Sequence, residues 1–284
     1  MDLSQTETKL TIQLLRKNVS GIVGTVLVSF ILFVMIIGPF FAPHDPIKPL
    51  MNDRLLPPNQ IYPLGTDNLG RDILSRILHG LKYTLGSSII AVTFTVCIGT
   101  FIGLIAGYLG GLIDEIIMRL TDIFLAFPSL ILAMAISVQL KPSLFNAIIA
   151  IIATGWPGYS RLVRGSVLSI KEKLYVKAAK AIGESNSNII LRHILPNTFT
   201  PILVRATLQI GGVILAIAGL GFIGAGAQAP MPELGAMVAG GRQYILSHYW
   251  ISLFPGISII IIVFGFNLLG DALRDILDPR LRYQ

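Results

Sequence analysis

The residues with the clearest chemistry in this sequence form a short basic segment, rich in small side chains, between two long apolar stretches. Residues 177–184 read Lys-Ala-Ala-Lys-Ala-Ile-Gly-Glu, and Ile-Leu-Pro stands at 194–196. Small side chains let a second protein surface approach closely, and the lysines favour an acidic or polar groove on it. The indicated chemistry is non-covalent docking; the simpler alternative is a basic loop near anionic lipid headgroups. The candidate docking residues are Lys177, Ala178, Ala179, Ile182, Gly183 and Glu184, with Leu195 and Pro196 supporting the loop.

The local pattern predicts how this segment folds. A short helix is expected from Tyr175 to Ile182, and Gly183 can stop it in a left-handed conformation. A second helix is expected to end at Pro196. Its apolar face is formed by Ile189, Ile190, Ile194 and Leu195.

A second candidate region is the loop 43–83, which is rich in Pro, Asp and Gly. Loops of this length are usually functional. Turn-forming residues alternate there with charged residues. The carboxylates of Asp67 and Asp72 are expected to pair with Arg71 or Arg76 and to fix the shape of the loop. One interpretation is a rigid surface that meets a partner protein, and the other is a loop that satisfies only itself. The candidate residues are Gly65, Asp67, Gly70, Arg71 and Asp72.

Signatures of catalysis and metal binding are missing from the sequence. No Gly-Lys dipeptide occurs, so there is no P-loop, and neither His-Glu-x-x-His nor Gly-x-Ser-x-Gly is present. The four histidines are far apart, and the one cysteine, Cys97, excludes an intramolecular disulfide. We therefore expect a chain that is not an enzyme, with no catalytic residue, no metal site and no cofactor of its own.

Composition defines the elements that must position these segments. Apolar residues make up 53% of the chain and charged residues 13%, with a mean hydropathy of +0.74. Soluble domains have about 25% charged residues, so a soluble protein is excluded, as is disorder. The net charge of +7 could suggest nucleic acid, but the bias typical of membrane proteins explains it better.

Six apolar stretches are long enough to cross a membrane as helices, which need about 20 residues each. The organisation expected is a cytoplasmic amphipathic N-terminus (1–20), a first span (21–42), the outer loop 43–83, a core (84–273) and a cytoplasmic C-terminus (274–284). The five core spans are 84–109, 123–140, 144–163, 201–225 and 251–269. The basic loop 171–197 lies between the fourth and fifth of the six spans.

Lysine and arginine set the expected orientation. With both termini cytoplasmic, inner segments carry 14 of these residues and outer segments carry 7, which is the asymmetry that inner loops normally show. The loop 171–197 is then cytoplasmic and the loop 43–83 extracytoplasmic. Arg205 is left inside a span, and no acidic residue is expected near a span midplane, which weakens an ion-coupled mechanism.

Glycines mark two of the spans. Gly99, Gly103, Gly107 and Gly111 recur every four residues along the second span, and the ridge predicts close helix packing rather than a pore lining. The fifth span is denser in glycine than packing alone requires, which indicates a helix that bends or moves. Pro128 and Pro157 are expected to break the third and fourth spans. Its candidates for lining a translocation path are Gly211, Gly219, Gly221 and Gly224.

The segment 177–196 resembles the Glu-Ala-Ala-x-x-x-Gly…Ile-x-Leu-Pro loop of the permease subunits of bacterial ABC importers. It matches at Ala178, Ala179, Gly183, Leu195 and Pro196, while Lys177 replaces the usual glutamate. Further segments resemble the second permease of the dipeptide, oligopeptide and nickel importers. They are 64–76, 114–119, 126–129, 227–237 and 266–280.

The resemblance implies an all-α membrane protein with six transmembrane helices and the ABC importer type I permease fold, in a bacterial or archaeal cytoplasmic membrane. It implies four further subunits: a homologous second permease, two ATP-binding subunits that dock on the signature loop, and an extracytoplasmic substrate-binding protein. ATP and Mg would be bound by the ATP-binding subunits.

The activity implied is import of dipeptides or oligopeptides by alternating access. Two alternatives stay open from the residues. One is the same architecture importing nickel or a metal–chelator complex, and the other is an ion-coupled carrier that acts alone.

Overall fold

The computed structural model describes residues 19–277. Most of the predicted terminal segments 1–20 and 274–284 therefore lies outside the described residues. Over 19–277 the chain consists of helices and loops, with one isolated bridge between Thr66 and Asp72. The α-helices are α1 (Val19–Ile37), α2 (Ile73–Leu109), α3 (Gly111–Leu125), α4 (Ser129–Gln139), α5 (Leu144–Lys171), α6 (Leu174–Ala181), α7 (Asn186–Asn188), α8 (Leu195–Ile223), α9 (Leu234–Gly241) and α10 (Trp250–Leu277).

Four stretches among the described residues are long and apolar enough to cross a membrane. They are Val19–Phe41, Ile73–Leu109, Asn186–Ile223 and Trp250–Ile276. The pair α3 and α4 adds a fifth if it is counted as one bent span. The fourth predicted span, 144–163, corresponds to α5, whose 28 residues are sufficient in length but include arginines and a lysine in the second half. The all-helical, six-span prediction therefore agrees approximately with the structure.

Helix α2 begins at Ile73, well before the predicted start of the span at 84. Asp72 caps it, because Oδ2 of Asp72 accepts hydrogen bonds from the backbone N–H and the hydroxyl of Ser75, at 2.8 and 2.6 Å. A side-chain oxygen at this position satisfies a backbone donor that a helix start leaves unpaired. The apolar stretch is thus the inner part of a longer helix that extends into the outer loop.

The third predicted span is broken rather than continuous. Helices α3 and α4 meet at an angle of 88° across Ala126–Pro128. Pro128 stands directly before α4, and the residue before a proline is driven away from helical conformation. The predicted break at Pro128 is confirmed, and the break leaves α4 as a short half-helix of 11 residues. The predicted break at Pro157 is wrong, because Pro157 lies inside the continuous helix α5.

The prediction that Pro196 ends a helix is wrong. A π-helical turn, Ile189–Ile194, leads directly into the 29-residue helix α8, and Pro196 lies in the first turn of α8. Proline is tolerated in a first turn, because its missing N–H is one that has no partner there. The basic loop is therefore joined to the fifth span by continuous helical backbone, which begins before residue 201.

Helices α2 and α5 form the most extensive helix pair in the described chain. The glycine ridge makes this contact possible, since an added Cβ at Gly99 would lie 2.5 Å from Cβ of Tyr159. At Gly107 the added atom would lie 2.7 Å from Cβ of Val167. The prediction that the ridge serves helix packing is confirmed for these positions. It is wrong for Gly111, which begins α3 and where an added Cβ meets no atom within 4 Å.

Candidate functional site

The basic loop folds around the short helix α6, Leu174–Ala181. Gly183 has a positive φ of +86°, and its N–H donates to the carbonyl of Lys180 at 3.1 Å. The N–H of Glu184 donates to the carbonyl of Ala179 at 3.1 Å. These bonds satisfy the last carbonyls of the helix in the way a glycine-terminated helix end does. The predicted short helix and its glycine stop are confirmed.

Helix α6 has an inner and an outer face. Val176 and Ala179 are 4% and 6% exposed, and they pack in one apolar cluster with Ile189 and Ile194. The outer face is apolar too, since the exposed fractions of Leu174 and Ile182 are 85% and 83%. Ala178 and Gly183 are also exposed. Two large apolar side chains with small residues between them form a surface that a partner with matching recesses can bury.

The charges of this loop are partly paired inside the chain. Lys177 and Glu172 form an ion pair at 2.8 Å, with both side chains more than half exposed. The hydrogen bond from Lys177 lowers the pKa of the Glu172 carboxyl below its ordinary value. Glu184 contacts Nε2 of His193 at 2.9 Å, which ties the end of α6 to the π-helical turn. The lysine that replaces the family glutamate therefore has an acidic neighbour of its own.

The outer loop holds its charged residues inside. Asp67, Arg71, Asp72 and Arg76 are each less than 10% exposed. Asp67 Oδ2 lies 2.7 Å from Nε of Arg71 and 3.7 Å from Nε of Arg76, as the sequence predicted for these pairs. Asp67 Oδ1 accepts from the N–H groups of Leu69 and Arg71 at 2.9 and 3.0 Å.

The two glycines of this loop allow close turns. Gly65 and Gly70 have φ of +77° and +76°, a region that residues with a Cβ rarely adopt. An added Cβ at Gly65 would meet the indole of Trp250 at 2.8 Å, and at Gly70 it would clash with the carbonyl of Leu50. The five predicted residues therefore fix the shape of the loop from within, and whether its surface meets a partner stays a prediction.

Sequence reasoning missed a buried carboxylate, Glu233, which is 0% exposed. It caps helix α9 and accepts from the N–H groups of Gly235 and Ala236 at 3.0 and 2.8 Å. The hydroxyl of Thr84 in α2 donates to it at 3.0 Å. Burial raises the pKa of the Glu233 carboxyl, while the three donors act in the opposite direction. The position of an acidic residue directly before an apolar helix was the available signal.

Glu233 also accounts for one of the glycines of the fifth span. An added Cβ at Gly221 would lie 2.6 Å from its carboxylate. Gly211 has the same role beside Asn267 of α10, whose Oδ1 would lie 2.6 Å away. Gly219 and Gly224 have no atom within 4 Å of an added Cβ, so they border open space. That any of the four lines a path stays a prediction.

Arginines of α5 hold helix α3 through ion pairs. Arg164 forms two hydrogen bonds to Asp114, of 2.8 and 2.6 Å, and Arg161 pairs with Asp122. An intrahelical pair joins Glu115 and Arg119 at 2.6 Å, while Asp114 pairs with the neighbouring helix. The acidic side chains of α3 are therefore all engaged.

Several long apolar helices give the described residues the architecture of a multi-pass membrane protein. Comparison with known families identifies its class as a transport subunit. Residues 99–283 match the model of the binding-protein-dependent transport system inner membrane component. The chain belongs to this family. Residues 6–58 match the N-terminal TM domain of oligopeptide transport permease C.

Several relatives cover nearly the whole chain. The dipeptide transport system permease protein DppC of Alkalihalophilus pseudofirmus is 47% identical over 94% of this chain and 88% of its own. The probable D,D-dipeptide transport system permease protein DdpC of Escherichia coli is 46% identical over 91% and 87%. The glutathione transport system permease protein GsiD of Pectobacterium atrosepticum is 39% identical over 94% and 89%.

Solved structures agree on the fold. A chain of the MetNI methionine ABC transporter in an inward-facing conformation has a TM-score of 0.56 at 21% identity. The match covers 70% of this chain and 95% of that one. A chain of an amino acid ABC transporter has a TM-score of 0.52 at 17% identity, over 74% and 94%. The protein is therefore an all-helical, multi-pass membrane permease with the fold of ABC importer transmembrane subunits.

Proposed function

We propose that this permease imports dipeptides or short oligopeptides, as the OppC-type half of the translocation path of an ATP-driven importer. The exposed pair Leu174 and Ile182 on helix α6 carries the proposal, because it offers an ATP-binding subunit a ready docking surface. The names of the relatives support the substrate class, since dipeptide, D,D-dipeptide and glutathione are all peptides. Nickel or a metal–chelator complex is the alternative cargo.

The assembly we propose has four further subunits. A homologous second permease completes the path, two ATP-binding subunits bind ATP and Mg on the cytoplasmic side, and a substrate-binding protein docks outside. Both termini of this chain are cytoplasmic, which places α6 against the ATP-binding subunits. The chain itself does not hydrolyse ATP. It contributes half of the translocation path and the segment that transmits movement from the ATP-binding subunits to the membrane helices.

The contacts of α6 indicate how movement of an ATP-binding subunit is transmitted to the membrane helices. Movement of an ATP-binding subunit displaces Leu174 and Ile182, and the displacement passes through Val176 and Ala179 into the cluster with Ile189 and Ile194. These isoleucines belong to the π-helical turn that continues into α8. A π-helical turn is a point at which a helix can adjust. Helix α8 can thus tilt as the nucleotide state changes, which is the element movement that alternating access requires.

Reconstitution tests the proposal. The chain is purified with its co-assembling subunits, placed in liposomes with ATP inside, and supplied with the binding protein and a labelled dipeptide outside. ATP-dependent accumulation of the dipeptide, abolished when any one subunit is left out, is the expected result. Accumulation of nickel alone would support the alternative cargo. Transport by this chain without ATP or partners would overturn the proposal in favour of an ion-coupled carrier.

A further inference from the structure

Helix α8 carries one positive charge within its predicted membrane-spanning length. Arg205 is ten residues beyond the start of α8 at Leu195 and four residues beyond the predicted start of the span at 201, which is about 6 Å along the helix axis. Its side chain is exposed in the isolated chain. An ionisable residue at such a position is costly in lipid and normally faces a protein interior or a water-filled path. The guanidinium therefore needs an explanation that packing does not give.

Arg205 has no carboxylate partner in residues 19–277. The acidic residues of α3, the helix that also packs on α5, are taken by Arg119, Arg161 and Arg164. Instead the guanidinium lies over the ring of Tyr159, 5.3 Å from its centroid. A cation on an aromatic face is held, but it keeps its N–H donors available. Tyr159 thus holds the guanidinium of Arg205 in place, while no carboxylate of residues 19–277 neutralises its charge.

Helix α5 leaves room for this side chain. An added Cβ at Gly158 would clash with Nη2 of Arg205 and lie 3.3 Å from Cζ. One turn away, an added Cβ at Gly155 would meet Cγ2 of Thr95 in α2 at 2.8 Å, while Nε2 of Gln209 would lie at an ordinary contact distance of 3.7 Å. Gly158 therefore makes room for the guanidinium, and Gln209, one turn beyond Arg205 on α8, lies beside the same helix.

Gly155 and Gln209 line a cavity of about 370 Å3 between α4, α5 and α8. Its polar lining includes Gln209, Thr154 and Ser129, and Ser129 is the first residue of the half-helix α4. The N-terminal end of a helix carries a partial positive charge. The volume lies within the range of ligand pockets, and Arg205 stands one turn from Gln209 on α8.

We infer that Arg205, with Gln209 beside it, receives the carboxylate of the peptide during its passage through the membrane. The inference rests on the proposed function, because a peptide is the cargo that brings a free C-terminal carboxylate. Arginine presents paired N–H donors that match a carboxylate. Tyr159 holds the guanidinium when no cargo is present, so the site is formed before the substrate arrives.

The test compares two substrates in the reconstituted, complete importer: a labelled dipeptide and the same dipeptide with a C-terminal amide. The same binding protein feeds every variant, so its own preference cancels when variants are compared with the wild type. Arg205→Gln should lower the ratio of acid to amide uptake about tenfold, since a charge-assisted hydrogen bond is lost. Arg205→Lys should keep most of the preference.

Gly158→Ala should displace the guanidinium and reduce the ratio as well. Gly165→Ala on the same helix, where an added Cβ meets no atom within 4 Å, is its control and should leave the ratio unchanged. These variants separate the position of the arginine from its presence.

Three results would overturn the inference. One is an unchanged acid-to-amide ratio in Arg205→Gln. Another is reduced yield of the assembled complex with an unchanged ratio, which would assign Arg205 to an acidic residue of the second permease. The third is dependence on anionic lipid without substrate discrimination, which would assign it to a headgroup. Failure of the wild type to import any peptide would instead refute the proposed function, so the two failures are distinguishable.

Discussion

Replacing Gly103 with alanine tests the packing on which the permease core depends. An added Cβ at Gly103 would lie 2.5 Å from the carbonyl oxygen of Ser160 and 2.8 Å from Cβ of Val163. Both atoms belong to α5 and neither is the end of a flexible side chain, so the two helices must move apart. Gly86 is the control, because it lies on the same helix and an added Cβ there meets no atom within 4 Å.

The magnitude follows from two opposing contributions. Alanine stabilises a helix interior relative to glycine by about 0.5–1 kcal/mol, and this gain applies to both variants. Overpacking costs about 1–3 kcal/mol, and it applies at Gly103 alone. Gly86→Ala should therefore be as stable as the wild type or more so. Gly103→Ala should be less stable than Gly86→Ala by about 1–3 kcal/mol.

Thermal unfolding of the two variants in the same detergent, followed by circular dichroism, measures this difference. The Gly99→Ala and Gly103→Ala changes together should cost more than either alone, because they lie on one interface. Equal stability of Gly86→Ala and Gly103→Ala would refute the described contact between α2 and α5.

Three further perturbations address the sites. Gly183→Val should uncouple ATP hydrolysis from uptake without preventing membrane insertion, since a φ of +86° is strained for valine. Normal uptake by this variant would show that the end of α6 is not used for coupling. Asp67→Asn should destabilise the complex by about 3–5 kcal/mol, because it leaves Arg71 buried and unpaired. Glu115→Gln, which removes an exposed ion pair, should cost only about 0–1 kcal/mol. Equal melting temperatures of the two variants would contradict the buried pair. Because the pKa of Glu233 is raised, its carboxyl contributes stability at low pH that is lost as the pH rises from 4.5 through the folded-state pKa. The stability advantage of wild type over Glu233→Gln should therefore shrink as pH increases, and a constant difference in melting temperature across that range would contradict the direction of the shift.

Much of the helical scaffold could be predicted from the sequence, because apolar length and glycine spacing are local properties. The helix of the basic loop and its stop at Gly183 follow from small residues and one glycine. The break of the third span follows from Pro128. Each of these features depends on a few neighbouring residues, so no tertiary information is needed.

What the sequence could not predict depends on distant partners. The role of Pro196 was misjudged because a proline fits both after a helix and inside a first turn, and only the continuing backbone decides. Glu233 was missed because its burial needs Thr84 and Gly221, which are far away in the chain. Arg205 was visible as an intramembrane charge, but its seat on Tyr159 and Gly158 is a tertiary contact.

Photo-crosslinking from Ile182 tests the docking of helix α6 most directly. A photoreactive amino acid replaces Ile182 in the assembled importer, and the same residue replaces Leu246 as the control, because Leu246 is 100% exposed and lies in the loop between α9 and α10. We predict crosslinks to an ATP-binding subunit from position 182 and none to that subunit from position 246. Crosslinks to that subunit from position 246 but not from position 182 would contradict both the docking surface and the orientation of the chain.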